Sequence, residues 1–342
     1  MTTRRNFLKN TTMLAAGLGV SPLLSSSPLR SYQKEEVING KVRIAVIGVG
    51  MGCRDLQGAL TDNPWVHCVG MCDVNKVRLE EQLARFKKDF PEQTVSIKAY
   101  TDFREVLANK EIDGVIIATP DHWHPYIFAE ALKAGKAIYV EKPVGNSISE
   151  CNAMMDFQKK YKGVVTTGLW QTSQRYFRAA NEILKSGVLG DVYKVQLWLC
   201  QSTNPRPSVE DSEAPSTLDY DMWLGPAPER PFNNSRFRGW RGFWDYGGGQ
   251  QTDWGVHWID SAFDGLKALG LCDREYPDAV FSIAYKDPAS FNETPSCQTS
   301  IFQYKNFHIE WAQQVLTFII GIKGSLGSEV KPLWYVIVKA MS

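Results

Sequence analysis

The amino-acid sequence predicts an α/β fold in two parts. A doubly wound parallel sheet is expected over residues 41–168, and an α+β domain with a mostly antiparallel sheet over 169–342. Three observations predict it. Short continuous apolar runs alternate with amphipathic stretches in the first part, as in parallel strands buried on both faces. A glycine-rich loop follows the first run directly. Beyond Gly168, strand patterns cluster without helices between them, which is an α+β signature.

The elements of the first part follow in order. Val42–Ile47, Val66–Cys72, Gly114–Ala118, Ala137–Val140 and Val164–Thr167 read as strands. Helical patterns lie near 51–61, 75–88, 123–134 and 148–160. In the second part, a helix is expected to end in a turn at Gly187–Gly190, and Val192–Leu199 alternates as a strand. Residues 201–250, rich in Pro, Gly, Trp and Asn, read as a long surface excursion. A helix from Asp253 to about Lys267 follows, then strands near 278–286, 297–304 and 306–312.

Composition narrows the function class. At 342 residues the chain is long enough for about two domains. Its 38 basic and 37 acidic residues nearly cancel, which excludes a broad nucleic-acid footprint. Seven scattered cysteines contain no CxxC pair, so buried free thiols and no zinc site are expected.

The amino-terminal segment has its own chemistry. Residues 1–34 carry Arg4, Arg5, Lys9, Arg30 and Lys34 and no acidic residue. A twin-arginine pattern, Thr3-Arg4-Arg5-Asn6-Phe7-Leu8-Lys9, precedes an apolar run from Met13 to Leu24. The run is shorter than the roughly 20 residues that span a bilayer. Charge, short apolar core and small residues make a cleavable signal, and the paired arginines point to the Tat export machinery. Residues 1–35 are therefore expected to be a signal and linker, and the protein periplasmic or otherwise exported.

The loop Gly48-Val49-Gly50-Met51-Gly52-Cys53 opens a helix after a strand. Gly48 would form the tight turn and Gly50 would admit a pyrophosphate to the backbone, with Gly52 beside it. Cys53 stands where a third spaced glycine is usual. Asp73 ends the next strand, where a carboxylate accepts from a ribose 2′-hydroxyl and repels a 2′-phosphate. NAD is thus the expected cofactor. Two further clusters fall at strand ends, where such sheets bind ligands. One is Thr119-Pro120-Asp121-His122-Trp123-His124 and the other Glu141-Lys142-Pro143. Thr119, Pro120, His124, Glu141 and Lys142 are candidate cofactor contacts. Lys142 is either a proton donor and acceptor or a solvated lysine. Histidines two apart on a helix do not share a face, so no metal is expected.

In the second part, Asp253 and His257 are four apart, with Asp260 one turn on. A carboxylate beside a histidine fixes its tautomer for proton transfer; the alternative is a core histidine with a capping aspartate. The Gly247–Gly249 run would let backbone approach a ligand. Five of the eleven tryptophans fall within residues 223–258. Their faces suit sugar rings, or else they pack an interface. Trp170, Trp244, Trp254 and Asp260 are the candidate substrate contacts.

Together, the glycine loop, Asp73, Ala118-Thr119-Pro120 with His124, Glu141-Lys142-Pro143 and Asp253-Trp254-Gly255-Val256-His257 resemble the Gfo/Idh/MocA family of NAD(P)-dependent oxidoreductases. The resemblance runs from about 42 to about 312. Asp219-Tyr220-Asp221-Met222-Trp223-Leu224-Gly225-Pro226 resembles its Tat-exported, sugar-active branch, which includes NAD-dependent glycosidases. The resemblance implies Lys142, Asp253 and His257 as catalytic residues, a sugar or polyol substrate, and homo-oligomers paired through the second-domain sheet. It also implies more chain after residue 315 than the pattern Val315–Ser342 matches, so a frameshift near Val315 is expected, leaving that sheet incomplete and subunit pairing in question. A non-catalytic NAD(H)- or sugar-binding protein is the remaining class.

Overall fold

The computed structural model describes residues 41–50, 63, 65–91, 97–200, 206–272 and 276–314. The expected signal, Gly52, Cys53, the helix near 51–61 and the segment after 315 lie outside these residues. Among the described residues, no helix is long and apolar enough to cross a membrane.

The chain divides into two units. The first carries a six-stranded parallel sheet of order β3-β2-β1-β4-β5-β6. Its strands are β1 (Val42–Ile47), β2 (Val66–Cys72), β3 (Lys98–Tyr100), β4 (Gly114–Ile117), β5 (Ala137–Val140) and β6 (Val165–Thr167). The order reverses between β1 and β4, and that switch point is where doubly wound sheets bind ligands. Around it lie α1 (Lys76–Asp89), α2 (Phe103–Ala108), α3 (His124–Lys133) and α4 (Ile148–Tyr161). Successive residues of β1 serve opposite faces. Ala45 and Ile47 join one buried cluster with Ile127 and Val140, while Val46 joins another with Met71, Leu79 and Phe86. Cover on both faces explains the mostly apolar runs. Caps fix the helix starts: Asn75 accepts from Arg78 N, and Ser147 with Glu150 forms a reciprocal capping box.

The segment 211–234, assigned with the second domain from its sequence, returns to the first unit. Backbone bonds Lys76 N to Thr217 O (2.9 Å) and Asp219 N to Val74 O (3.0 Å) tie it to the start of α1. Trp123 Nε1 and His122 Nε2 both reach Trp223 O at 3.0 Å. The Trp123 ring lies so close to Gly225 (φ +48°) that a Cβ there would sit 2.0 Å from Cζ2. This explains two features that sequence left open. The His122-Trp123 pair holds a returning loop, and Gly225 is the residue that admits it.

A partly buried ion pair closes the amino-terminal end of the sheet. Arg43 Nη2 and Nε reach Asp113 Oδ1 and Oδ2 at 2.8 and 3.0 Å, and Arg43 N donates to Oδ2 at 2.8 Å. Burial alone would push the Asp113 carboxyl up, but the Arg43 bonds and charge outweigh it and hold the carboxyl below its usual range. A carboxylate with a depressed folded pKa stabilises above its unfolded value, near 4, and loses that contribution as pH falls further. Asp113→Asn is therefore expected to cost about 1–3 kcal/mol at neutral pH, and the gap from wild type should close below about pH 4. Thermal unfolding midpoints of both proteins across that range measure this; a gap independent of pH would exclude it.

The second unit holds β7 (Lys194–Cys200), β8 (Ala279–Tyr285), β9 (Cys297–Gln303) and β10 (His308–Gln314), in the order β7-β10-β9-β8. The β7–β10 pair is parallel and the other two pairs are antiparallel. Helix α5 (Arg175–Lys185) packs beside α6 (Val256–Ala268) through Phe177 on Trp258 and through Asn181 Nδ2 donating to Asp264 Oδ2 at 2.6 Å. Ala262 and Leu266 of α6 cover Ile309, Val195 and Phe302 of the sheet. The edge strand β8 is exposed at every residue.

Candidate active site

In the first unit the site starts from Gly48. Its N–H donates to Cys72 O at 2.8 Å, and its φ is +88°. A Cβ there would lie 2.6 Å from Ala118 C and O and from Thr119 N. Only glycine lets the end of β1 rest on the chain leaving β4. Gly50 is open by comparison: among the described residues its Cβ would meet only Arg78 Nη1, at 3.8 Å.

Asp73 is buried just past β2. Oδ2 accepts Val49 N at 3.0 Å and Oδ1 accepts Asn75 N at 2.9 Å. Burial pushes its carboxyl up, opposed by the Asn75 N–H, the Arg78 charge and the Val49 N–H. Each oxygen retains a lone pair that a ribose hydroxyl can use. Thr119 Oγ1 is buried without a hydrogen-bond partner among the described residues. A backbone cradle open at Gly50, a carboxylate at the end of β2 and an unpaired hydroxyl at the end of β4 fit NAD. Gly48, Gly50, Asp73 and Thr119 would hold it.

His124 is fully buried, with Nδ1 2.7 Å from Pro143 O and Nε2 2.9 Å from Thr119 O. Both ring nitrogens face backbone carbonyls, so His124 holds the two strand-end loops in place. Glu141 is also engaged internally. Its Oε1 accepts from Tyr139 OH at 3.0 Å and its Oε2 from Lys142 N at 3.1 Å. A Cβ on Gly168 would come within 2.7 Å of Glu141 Oε2, so this carboxylate needs a glycine beside it. Burial and Glu141 together push the Tyr139 hydroxyl up. Lys142 lies two residues past the end of β5, half-buried, and Lys142–Pro143 is a cis peptide. Pro120 precedes the short 3-10 turn Asp121–Trp123 that leads into α3. Among the described residues no group of three or more His, Cys, Asp or Glu is arranged to hold a metal.

In the second unit, a π-helical turn at Gln251–Gly255 runs straight into α6. Such turns interrupt regular helices and recur at functional sites. Gly255 permits it: a Cβ there would sit 3.1 Å from the ring of Trp311, which is fully buried on β10. His257 is 3% exposed, with the Trp170 and Trp254 ring centroids 5.8 and 6.3 Å away. Asp253 pairs with Arg241 Nε at 3.1 Å. Asp260 is buried one turn further along. Trp170, edge-on to His257, is about half exposed, giving this aromatic cluster a solvent side. Trp244, also exposed, is anchored through its backbone N–H to Glu293 Oε2 at 3.1 Å and takes no part in the cluster.

The Gly247–Gly249 run has a different reason from the one expected. A Cβ on Gly248 would lie 2.5 Å from Thr252, and one on Gly249 (φ +66°) 2.9 Å from Thr294. These glycines accommodate close protein packing at the start of the π-turn. Arg241 is one of the polar groups that the sequence places near the tryptophans, but its pairing with Asp253 is not legible there, because that partner lies twelve residues away across an irregular segment.

Comparison with known proteins agrees with this geometry. The NAD-binding Rossmann-fold profile of the Gfo/Idh/MocA oxidoreductase family matches residues 42–169, and the family's C-terminal alpha/beta profile matches 178–267. An alpha-N-acetylgalactosaminidase from Tannerella forsythia is 33% identical over 163 residues, covering 44% of this chain and 34% of that protein. An inositol 2-dehydrogenase from Salmonella typhimurium is 24% identical over 151 residues, 44% of this chain and 43% of the relative. The chain thus spans less than half the length of these curated relatives. The WlbA dehydrogenase of Bordetella pertussis, solved with NADH and UDP-GlcNAcA, shares the fold at a TM-score of 0.60 and 17% identity, over 82% of this chain and 74% of that one. A strand-order switch point cradled by Gly48, a carboxylate at Asp73 and two consecutive profile matches have one reading: the chain belongs to the Gfo/Idh/MocA family of NAD-binding oxidoreductases.

Proposed function

We propose that this chain is an exported NAD-dependent oxidoreductase acting at a secondary hydroxyl of a sugar or polyol. The observation that carries the reading is His257, buried beneath Trp170 and Trp254 at a π-turn that bears Asp253. Aromatic faces beside polar groups suit a ring with apolar C–H faces and hydroxyls at its rim. His257 takes the hydroxyl proton as the carbonyl forms, and Asp253 orients its ring. The family resemblance gives Lys142 the role of stabilising developing negative charge on the substrate. Trp170, Trp254 and Asp260 contribute to substrate binding. NAD, when bound, supplies the hydride acceptor. The likeness to an inositol 2-dehydrogenase supports a polyol or sugar substrate.

The likeness to an alpha-N-acetylgalactosaminidase favours a second reading, an NAD-dependent glycosidase. Lys142 and His257 then play the same parts, but the cofactor ends the cycle unchanged. The test is one panel: inositols, hexoses, N-acetylhexosamines and their nitrophenyl glycosides, each with NAD. Net NADH formation establishes the dehydrogenase, and nitrophenol release without net NADH establishes the glycosidase. Neither product, with NADH binding intact by energy transfer from tryptophan, sinks both and leaves a binding protein.

Export rests on Arg4 and Arg5. Replacing both by lysine is expected to retain the protein in the cytoplasm. Cell fractionation reads this out, and unchanged export of the double variant would remove the Tat assignment.

A further inference from the structure

The motif helix is held from two sides. From below, the Gln251 amide oxygen accepts from Gln298 Nε2 at 2.8 Å and from Ser300 Oγ at 3.2 Å, both on β9. Gly255 rests on the Trp311 ring of β10. These contacts pin the π-turn backbone to the sheet, yet they leave the Asp253 side chain its own torsions. From the other side, Arg241 Nε sits 3.1 Å from Asp253 Oδ1. Its guanidinium stacks on Trp240, 4.2 Å from the ring centroid, so the planar fork is itself braced.

We infer that Arg241, braced on Trp240, is the positioning residue that fixes the Asp253 carboxylate for its work on His257. The inference rests on the reading of Asp253 and His257 as a proton-transfer pair. The Arg241 side chain is 45% exposed and that of Asp253 18%. An ion pair this wet contributes about 0–1 kcal/mol to stability. Its value is orientational, and stability is the wrong readout.

The test uses the full chain and the ring nitrogen NMR signals of His257, which report tautomer and charge. They are assigned by their loss in His257→Gln and followed from about pH 5 to 9, the range in which histidine titrates. Asp253→Asn removes a negative charge and should favour the neutral ring. Arg241→Met removes a positive charge and frees the carboxylate, so the ring should shift towards the charged form and its tautomer balance should change. Arg241→Lys keeps the charge and should recover most of the wild-type signal, and Trp240→Leu should give a partial Arg241→Met effect. If Asp253→Asn moves the signals and Arg241→Met does not, the pair stands and Arg241 is only a surface ion pair. If neither moves them, Asp253 does not act on His257 and the inference falls with the pair. Amide NMR signals of the second unit and a thermal unfolding midpoint close to wild type in Arg241→Met show that the variant is folded; should it misfold, Arg241→Gln takes its place in the same comparison.

Discussion

Gly48→Ala is expected to weaken NADH binding by about 100-fold. Two costs coincide at this position. The backbone sits at φ +88°, a region that costs an L-residue roughly 1–2 kcal/mol. The added methyl would also lie 2.6 Å from three backbone atoms of Ala118 and Thr119, which cannot rotate away as a side chain would. Overpacking of this kind costs typically about 1–3 kcal/mol. The strain falls where β1 and β4 part, so relief means moving the loop or Thr119, both in the cofactor cradle. If about 3 kcal/mol of it is relieved by displacing the cradle, affinity falls by about 100-fold. Gly50→Ala is the control. Among the described residues its methyl would find only Arg78 Nη1 at 3.8 Å, so the thermal midpoint should hold while NADH binding weakens. Tryptophan-to-nicotinamide energy transfer and thermal unfolding separate the two. Gly48→Ala with wild-type affinity would mean that this loop does not carry the cofactor.

The two glycines illustrate what could be read before the structure. The parallel sheet is legible because both of its faces are covered, so β1, β2, β4 and β5 are mostly apolar runs, interrupted only at Arg43 and His67. Strand β3 and helix α2 were not read: β3 has three residues, of which only Tyr100 is buried, and α2 has six. The return of 211–234 to the first unit depends on a tryptophan indole and a histidine about a hundred residues away in sequence. No local periodicity encodes such a contact. The same applies in the site. Gly48 and Asp73 announce themselves through a local strand–loop–helix pattern. The true partners of His124, by contrast, are carbonyls of two separate loops, and backbone carbonyls leave no trace in residue type. The glycines at 247–249 stand out in the sequence, but composition does not say whether the group that approaches a glycine is ligand or protein, and at Gly248 and Gly249 it is Thr252 and Thr294.

His257→Gln is expected to lower turnover by about 100- to 10,000-fold, the range for loss of a positioned general base. A buried histidine packed between tryptophans has a competing explanation, that it merely fills the core. The competing case predicts something else. Losing a core histidine costs about 1–3 kcal/mol of stability when its polar contacts are broken, and turnover per folded molecule stays near normal. The surroundings argue for chemistry. Trp170, the ring edge-on to His257, is itself 48% exposed, so the histidine lies one aromatic layer beneath solvent. Its helix enters through a π-turn, which the fold accommodates by leaving Gly255 without a side chain against Trp311. Glutamine can donate and accept hydrogen bonds but cannot exchange a proton near neutral pH, so it isolates proton transfer from packing. NADH affinity in His257→Gln should match wild type, because Gly48, Gly50 and Asp73 belong to the other unit. Trp170→Ala should raise KM more than it lowers kcat, as expected of a residue that binds the ring without taking its proton. Equal turnover per folded molecule in His257→Gln and wild type would return His257 to the core and require another base for this site.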